Sequence, residues 1–310
     1  MKNLVVMFPG QGSQAVGMGC DLAAADPAMR DAYAEASEVL GYDLQDLCCQ
    51  GPIDRLSRTD FTQPALLAAS VGMFRILRRE GLEFDVAIGH SLGEFSALVA
   101  TGAVDFADAL RIVRRRGQEM LRAGHASPGG MAAVIGLDDA VVEALCAEQD
   151  GLWPANFNCP GQVVISGTKP ALEVLSEKAK AAGAKRVISL AVSGAFHSPL
   201  VQSALEPLRD EFERTEWRTP EPAFFSACSV AFETGDFNEL LQVQLVSPVR
   251  FSQSVSTLYA AGYDAFLEVG PGAVLTGLVK RIEPQAQAAR VSDMETLLAL
   301  RADGRYLEDA

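Results

Sequence analysis

The stretch "DVAIGHSLGEFSALVA" (Asp85–Ala100) changes its hydrophobic rhythm at a single serine. "DVAIGH" reads as a buried strand and "LGEFSALVA" as the helix that follows it. Between them Gly89, His90, Ser91, Leu92 and Gly93 fit Gly-x-Ser-x-Gly. That pentad suits a chain turning sharply from strand to helix, with the serine hydroxyl lifted to the top of a sheet. On the pentad alone Ser91 is either a nucleophile or a serine in a tight turn. A nucleophile needs a base, an oxyanion hole and a reason for a particular acyl group.

Working outward, the same alternation recurs. "NLVVMF" (Asn3–Phe8) reads as a strand ended by "PGQGSQ", and "AFLEVG" (Ala265–Gly270) as a strand before the helical "AVLTGLVKRI". Strands alternating with helices predict an α/β core with a largely parallel sheet. The middle differs. "MAAVIGL", "LWPANFN", "QVVISGT" and "KRVISLAV" read as strands, with helices at "DDAVVEALCAEQ" and "KPALEVLSEKAKAAGA". The order βαββαβ over about 70 residues is the ferredoxin-like pattern. The expectation is a hydrolase-like large domain from residues 1–126 and 196–310, a small inserted domain at 127–195, and a cleft between them.

The 310 residues are 49% apolar, enough for a sizeable core, and no apolar run reaches the roughly 18 residues of a membrane span. The net charge of −14 argues against nucleic acid and anionic membranes as main partners. "NLVVMF" is too short for a secretory h-region, so a cytoplasmic protein is expected, and a monomer. Of the six cysteines, none forms Cys-x-x-Cys or zinc-finger spacing with a histidine; reduced, mostly buried thiols and no metal are expected.

The chain has three histidines. His90 precedes Ser91 and should point away from it. His125 lies in "GHASPGG", read as a solvated loop. His197, in "VSGAFHSPL", follows a predicted strand at the domain junction and is by elimination the best base. The last 113 residues hold no histidine, whereas ordinary α/β-hydrolases place theirs late, after the acid. That order counts against a plain esterase.

A set of motifs in fixed order sharpens the reading: "FPGQGSQ", "FTQPAL", "GHSLGEFSAL", "RRGQEM", "GGMAAVIGL", "NCPGQVVISG", "SGAFHSPL", "SPVRF" and "EVGPGAVLTGL". With them the chain resembles the malonyl-CoA:acyl carrier protein transacylases along nearly its whole length. The resemblance implies a ping-pong reaction. Malonyl-CoA acylates Ser91, CoA leaves, and the phosphopantetheine thiol of an acyl carrier protein takes the malonyl group, as in fatty acid biosynthesis. It implies His197 as general base and then general acid, an oxyanion hole from the backbone N–H groups of Gln11 and Leu92, and a backbone carbonyl at Arg250 orienting His197. It implies no cofactor beyond the two substrates.

Malonyl carries a free carboxylate, so a cation is expected in the pocket. In "VDFADALRIVRRRGQEML" (Val104–Leu121), a helical wheel puts Arg111 and Arg115 opposite the apolar arc and Arg114 on its flank. Arg116 falls inside the arc, between Ala109 and Ile112. A buried guanidinium is costly unless it meets an anion, and the family uses the Arg of this "RG" motif for the malonyl carboxylate. Phe196, in "AFH", adds a steric cue, since in related acyltransferases that tripeptide accompanies malonyl rather than methylmalonyl. Lys185 with Arg186, and Lys280 with Arg281, are candidate contacts for an acidic carrier. The alternatives are a stand-alone malonyl-loading acyltransferase for a polyketide synthase, an acyl hydrolase, and a silent carrier-binding scaffold.

Overall fold

The computed structural model describes residues 3–307. Ten strands follow in chain order: β1 (Leu4–Phe8), β2 (Val86–Gly89), β3 (Gly129–Ile135), β4 (Leu152–Cys159), β5 (Gln162–Thr168), β6 (Arg186–Ser189), β7 (Ala223–Ser226), β8 (Ala231–Glu233), β9 (Ala265–Val269) and β10 (Gln287–Val291). They form a six-stranded sheet in the order β10-β9-β1-β2-β7-β8 and a four-stranded sheet in the order β4-β5-β3-β6. The large sheet is parallel except for β8, and the small one is antiparallel throughout.

Strand β1 is buried on both faces, as a central parallel strand covered by helices must be. Its period of two sorts the side chains. Leu4, Val6 and Phe8 join one core with the helices Thr59–Arg79 and Phe106–Ala126, while Val5 and Met7 join a second with the helices Phe251–Ala260 and Val274–Ile282. Strands β1, β2 and β9 thereby end at one edge, where the loops after β1 and β2 meet.

The small sheet carries its two helices, Asp139–Ala147 and Lys169–Ala181, on one face, over a core of its own that includes Val134, Phe157, Val163 and Ile165. It is tied to the large sheet's side by two backbone hydrogen bonds, Phe157 N–H to Val249 O and Val249 N–H to Ala155 O, both 2.8 Å. His90 Nε2 meets Asn158 Oδ1 at 2.9 Å, adding a side-chain pin. Among the described residues no helix is long and apolar enough to cross a membrane.

Two readings of the sequence are corrected. His125 is exposed in the last turn of the helix Phe106–Ala126, which runs past Gly124; that glycine packs so closely on the Ser193 carbonyl that a Cβ would not fit. Cys20 and Cys49 are joined in a disulfide rather than free, 29 residues apart in sequence. No local spacing betrays that pair, because the fold brings the start of the helix Cys20–Ala25 against the end of the helix Leu44–Gln50. Cys48, Cys146, Cys159 and Cys228 are free.

Candidate active site

Ser91 sits between β2 and the helix Gly93–Ala100 with φ of 52°, a left-handed conformation that a non-glycine residue rarely adopts. The turn closes because its neighbours lack side chains. A Cβ on Gly89 would overlap the Gly93 backbone, and one on Gly93 would overlap the Phe8 carbonyl. His197 also has a positive φ, 56°, and is 4% exposed.

Ser91 Oγ lies 2.7 Å from His197 Nε2. On the far side of the ring, Nδ1 faces the carbonyl oxygens of Gln244 at 3.0 Å and Ser247 at 3.1 Å. Carbonyls only accept, so Nδ1 carries the hydrogen and Nε2 is left as the acceptor for the serine proton. Burial, followed by the Arg116 charge, pushes the His197 pKa down to about 3, which keeps the ring neutral and able to act as a base.

The orienting carbonyls correct one assignment. The Arg250 carbonyl is not on His197; it accepts from the backbone N–H and the hydroxyl of Ser254, inside the helix that starts at Phe251. Arg250 lies beyond the turn at Ser247–Pro248, and its guanidinium stacks over Phe157. The carbonyls that reach the ring come from the end of the preceding helix, Phe237–Val246, and from Ser247 just past it. A helix C-terminus leaves such oxygens unpaired by its own backbone.

Arg116 is 2% exposed, with Arg111 exposed and Arg114 and Arg115 half-buried on the same helix. Its guanidinium donates to Gln63 Oε1 at 2.9 Å, Gln244 Oε1 at 3.1 Å and Ser91 Oγ at 3.3 Å. Phe95 lies under it, 5.7 Å to the ring centroid. Among the described residues, no carboxylate is within ion-pair distance of it. Burial pushes its pKa down to about 10, so it stays charged at neutral pH. A buried cation held only by neutral oxygens retains an unmet demand for an anion. Its donor to Ser91 is the longest of the three, and acylating that oxygen would release it.

A cavity of about 70 Å³ opens onto these groups, lined among others by Gln11, Ser91, Leu92, Arg116, Phe196 and His197. Among the described residues, neither the Gln11 nor the Leu92 backbone N–H donates to a backbone carbonyl. Phe196 is 5% exposed in the wall. The four basic residues considered for carrier contact are exposed; Arg281 spends its guanidinium on Gln162 Oε1 and Pro160 O of the small sheet, each at 3.2 Å.

Three site residues escape a reading by motif and wheel. Gln63 and Gln244 hold Arg116, and Glu94 lies behind Gln244. Each is a polar residue in an apolar stripe: Gln63 among Ala65, Leu66 and Leu67, Gln244 beside Leu241 and Leu245, Glu94 before Phe95. Such interruptions are the available signal, since a buried polar group needs a partner.

Comparison with known proteins gives the same neighbourhood. The acyl transferase domain family matches residues 5–307. The malonyl CoA-acyl carrier protein transacylase of Escherichia coli K12 is 44% identical over 305 residues, covering 96% of this chain and 99% of that protein. The crystal structure of an acyl carrier protein S-malonyltransferase from Vibrio cholerae superposes with a TM-score of 0.93 at 44% identity, covering 96% of this chain and 100% of that one. A malonyl-transacylase in complex with a type II polyketide synthase acyl-carrier protein gives a TM-score of 0.93 at 43% identity, over 97% and 99%.

Proposed function

The chain belongs to the malonyl-CoA:acyl carrier protein transacylases of the acyl transferase domain family, and on that premise we propose that Ser91 carries the malonyl group between CoA and the carrier. The enzyme transfers malonyl from malonyl-CoA to an acyl carrier protein in fatty acid synthesis. In the first half-reaction His197 Nε2 takes the Ser91 proton as Oγ attacks the thioester carbon. The tetrahedral oxyanion is held by the amides of Gln11 and Leu92. Collapse expels the CoA thiolate, which receives the proton from His197. In the second half-reaction the carrier's phosphopantetheine thiol gives its proton to His197 and attacks the malonyl ester, and the proton returns to Ser91 Oγ.

Arg116 binds the malonyl carboxylate, and Phe196 fills the space an α-methyl group would need. A methyl is worth about 1–3 kcal/mol of discrimination, so Phe196 sets a preference. The reaction needs no resident cofactor, because the thioester arrives activated and the imidazole handles every proton. A cytoplasmic location belongs to the same proposal.

The observation that carries the reading is the position of Ser91 Oγ, 2.7 Å from a neutral imidazole nitrogen and 3.3 Å from a buried guanidinium that meets no carboxylate among the described residues. A plain esterase has no use for the cation. The test is intact mass after mixing with malonyl-CoA. The wild type gains one malonyl group and Ser91→Ala gains none; a stoichiometric adduct on the variant means another nucleophile. The complex with a polyketide carrier supports a second reading with the same chemistry, malonyl loading of such a carrier. Transfer rates to the two carrier types separate them.

A further inference from the structure

Glu94 is 1% exposed and touches neither the cavity nor Ser91 Oγ. Its Oε1 accepts from Ser226 Oγ at 2.9 Å and from the Ala227 amide at 2.7 Å. Its Oε2 accepts from Gln244 Nε2 at 3.0 Å. The same Nε2 donates to the Ser91 carbonyl at 2.8 Å. Gln244 thus has acceptors on one side of its amide and the Arg116 donor on the other, with its backbone carbonyl on His197.

We infer that Glu94 is a positioning residue for malonyl recognition: acting through Gln244, it turns that amide's oxygen toward Arg116 and so aims the guanidinium into the pocket. The inference rests on the proposed role of Arg116. The physical reason is the one-way character of a carboxylate. When ionised it only accepts, so the Gln244 NH2 faces it and Oε1 faces the cation. The negative charge, one residue removed from Arg116, also offsets the cost of burying a cation without occupying the place the substrate needs. A carboxylate paired directly with Arg116 would compete with malonyl; a relayed one does not. Burial pushes the Glu94 pKa up to about 7, and the Arg116 charge in turn benefits from its ionised form.

Glu94→Gln is nearly isosteric but sets two donors against each other. Ser226 and Ala227 keep the new amide's oxygen on their side, so its NH2 faces the Gln244 NH2. Gln244 must then flip, presenting NH2 to Arg116 and losing the Ser91 carbonyl, or pull away. The experiment measures kcat/KM for malonyl-CoA and acetyl-CoA in the wild type, Glu94→Gln, Gln244→Met and the double variant, each checked by circular dichroism. Gln244→Met keeps the backbone carbonyl on His197, so it tests the relay should Glu94→Gln not fold. The expected result is a loss of the malonyl-to-acetyl ratio of about tenfold or more in each single variant. It is carried by a raised KM for malonyl-CoA, and the double variant is no worse than the poorer single. Glu94→Asp should restore part of the ratio. A wild-type ratio in either folded single variant, or equal losses for both substrates, overturns the inference. A wild type that forms no malonyl adduct overturns the reading beneath it instead.

Discussion

Arg116→Ala removes a cation that the fold buries at evident cost. Hydrogen bonds to a charged partner contribute about 1.5–3 kcal/mol each. A two-pronged contact to the malonyl carboxylate is therefore worth about 3–6 kcal/mol, or about 10²–10⁴-fold at about 1.4 kcal/mol per decade. Acetyl-CoA has no carboxylate to lose. Malonyl kcat/KM should fall by that factor while acetyl kcat/KM changes far less, so the selectivity collapses with the chemistry at Ser91 intact. The variant also strips Gln63 Oε1 and Gln244 Oε1 of their donor. Each orphaned oxygen costs about 1–3 kcal/mol, partly offset because a buried charge is gone, so a urea melt accompanies the kinetics. Arg116→Lys should rescue poorly, since an ammonium cannot span Gln63 and Gln244 and still present two prongs. The assay is initial rate against each CoA thioester at fixed carrier concentration. A folded Arg116→Ala protein with the wild-type malonyl-to-acetyl ratio would refute the reasoning and make Arg116 a structural group.

The pH profile of kcat/KM should show no acid limb from His197 near 6.5, because burial and the Arg116 charge push its pKa down to about 3; a limb near 6.5 that persists in Glu94→Gln means the imidazole keeps its ordinary basicity. A limb near 7 that disappears in Glu94→Gln belongs to that carboxyl instead. Its folded pKa is raised, so folding takes up a proton between about 4.5 and 7, and Glu94's contribution to stability falls as pH rises through that window. Gly117→Ala should destabilise by about 1–3 kcal/mol of overpacking and raise the malonyl KM. Its Cβ would stand 2.6 Å from the Thr59 carbonyl, at the crossing that brings Gln63 to Arg116. Unchanged urea midpoint and KM would show that the two helices can part freely there.

Periodicity in the chain was enough for most of the architecture. The elbow at Ser91, the strands Leu4–Phe8 and Ala265–Val269, and the βαββαβ order of the small sheet are local patterns, because side-chain alternation and glycine placement are set by a few consecutive residues. Arg116 was legible for the same reason: a helix fixes which face a residue occupies, and a cation on an apolar face is conspicuous. What no local pattern holds is which distant groups meet. The carbonyls on His197 come from Gln244 and Ser247, 47 and 50 residues away, and not from Arg250. Backbone oxygens are the same in every residue, so side-chain identity cannot mark the one that turns inward; only the end of the helix Phe237–Val246 does. Glu94, Gln244 and Gln63 went unread in the sequence, because their partners lie across the fold, as does Cys49 from Cys20. Hydrogen bonds and disulfides depend on distances of a few ångströms, and only the packed tertiary structure sets those.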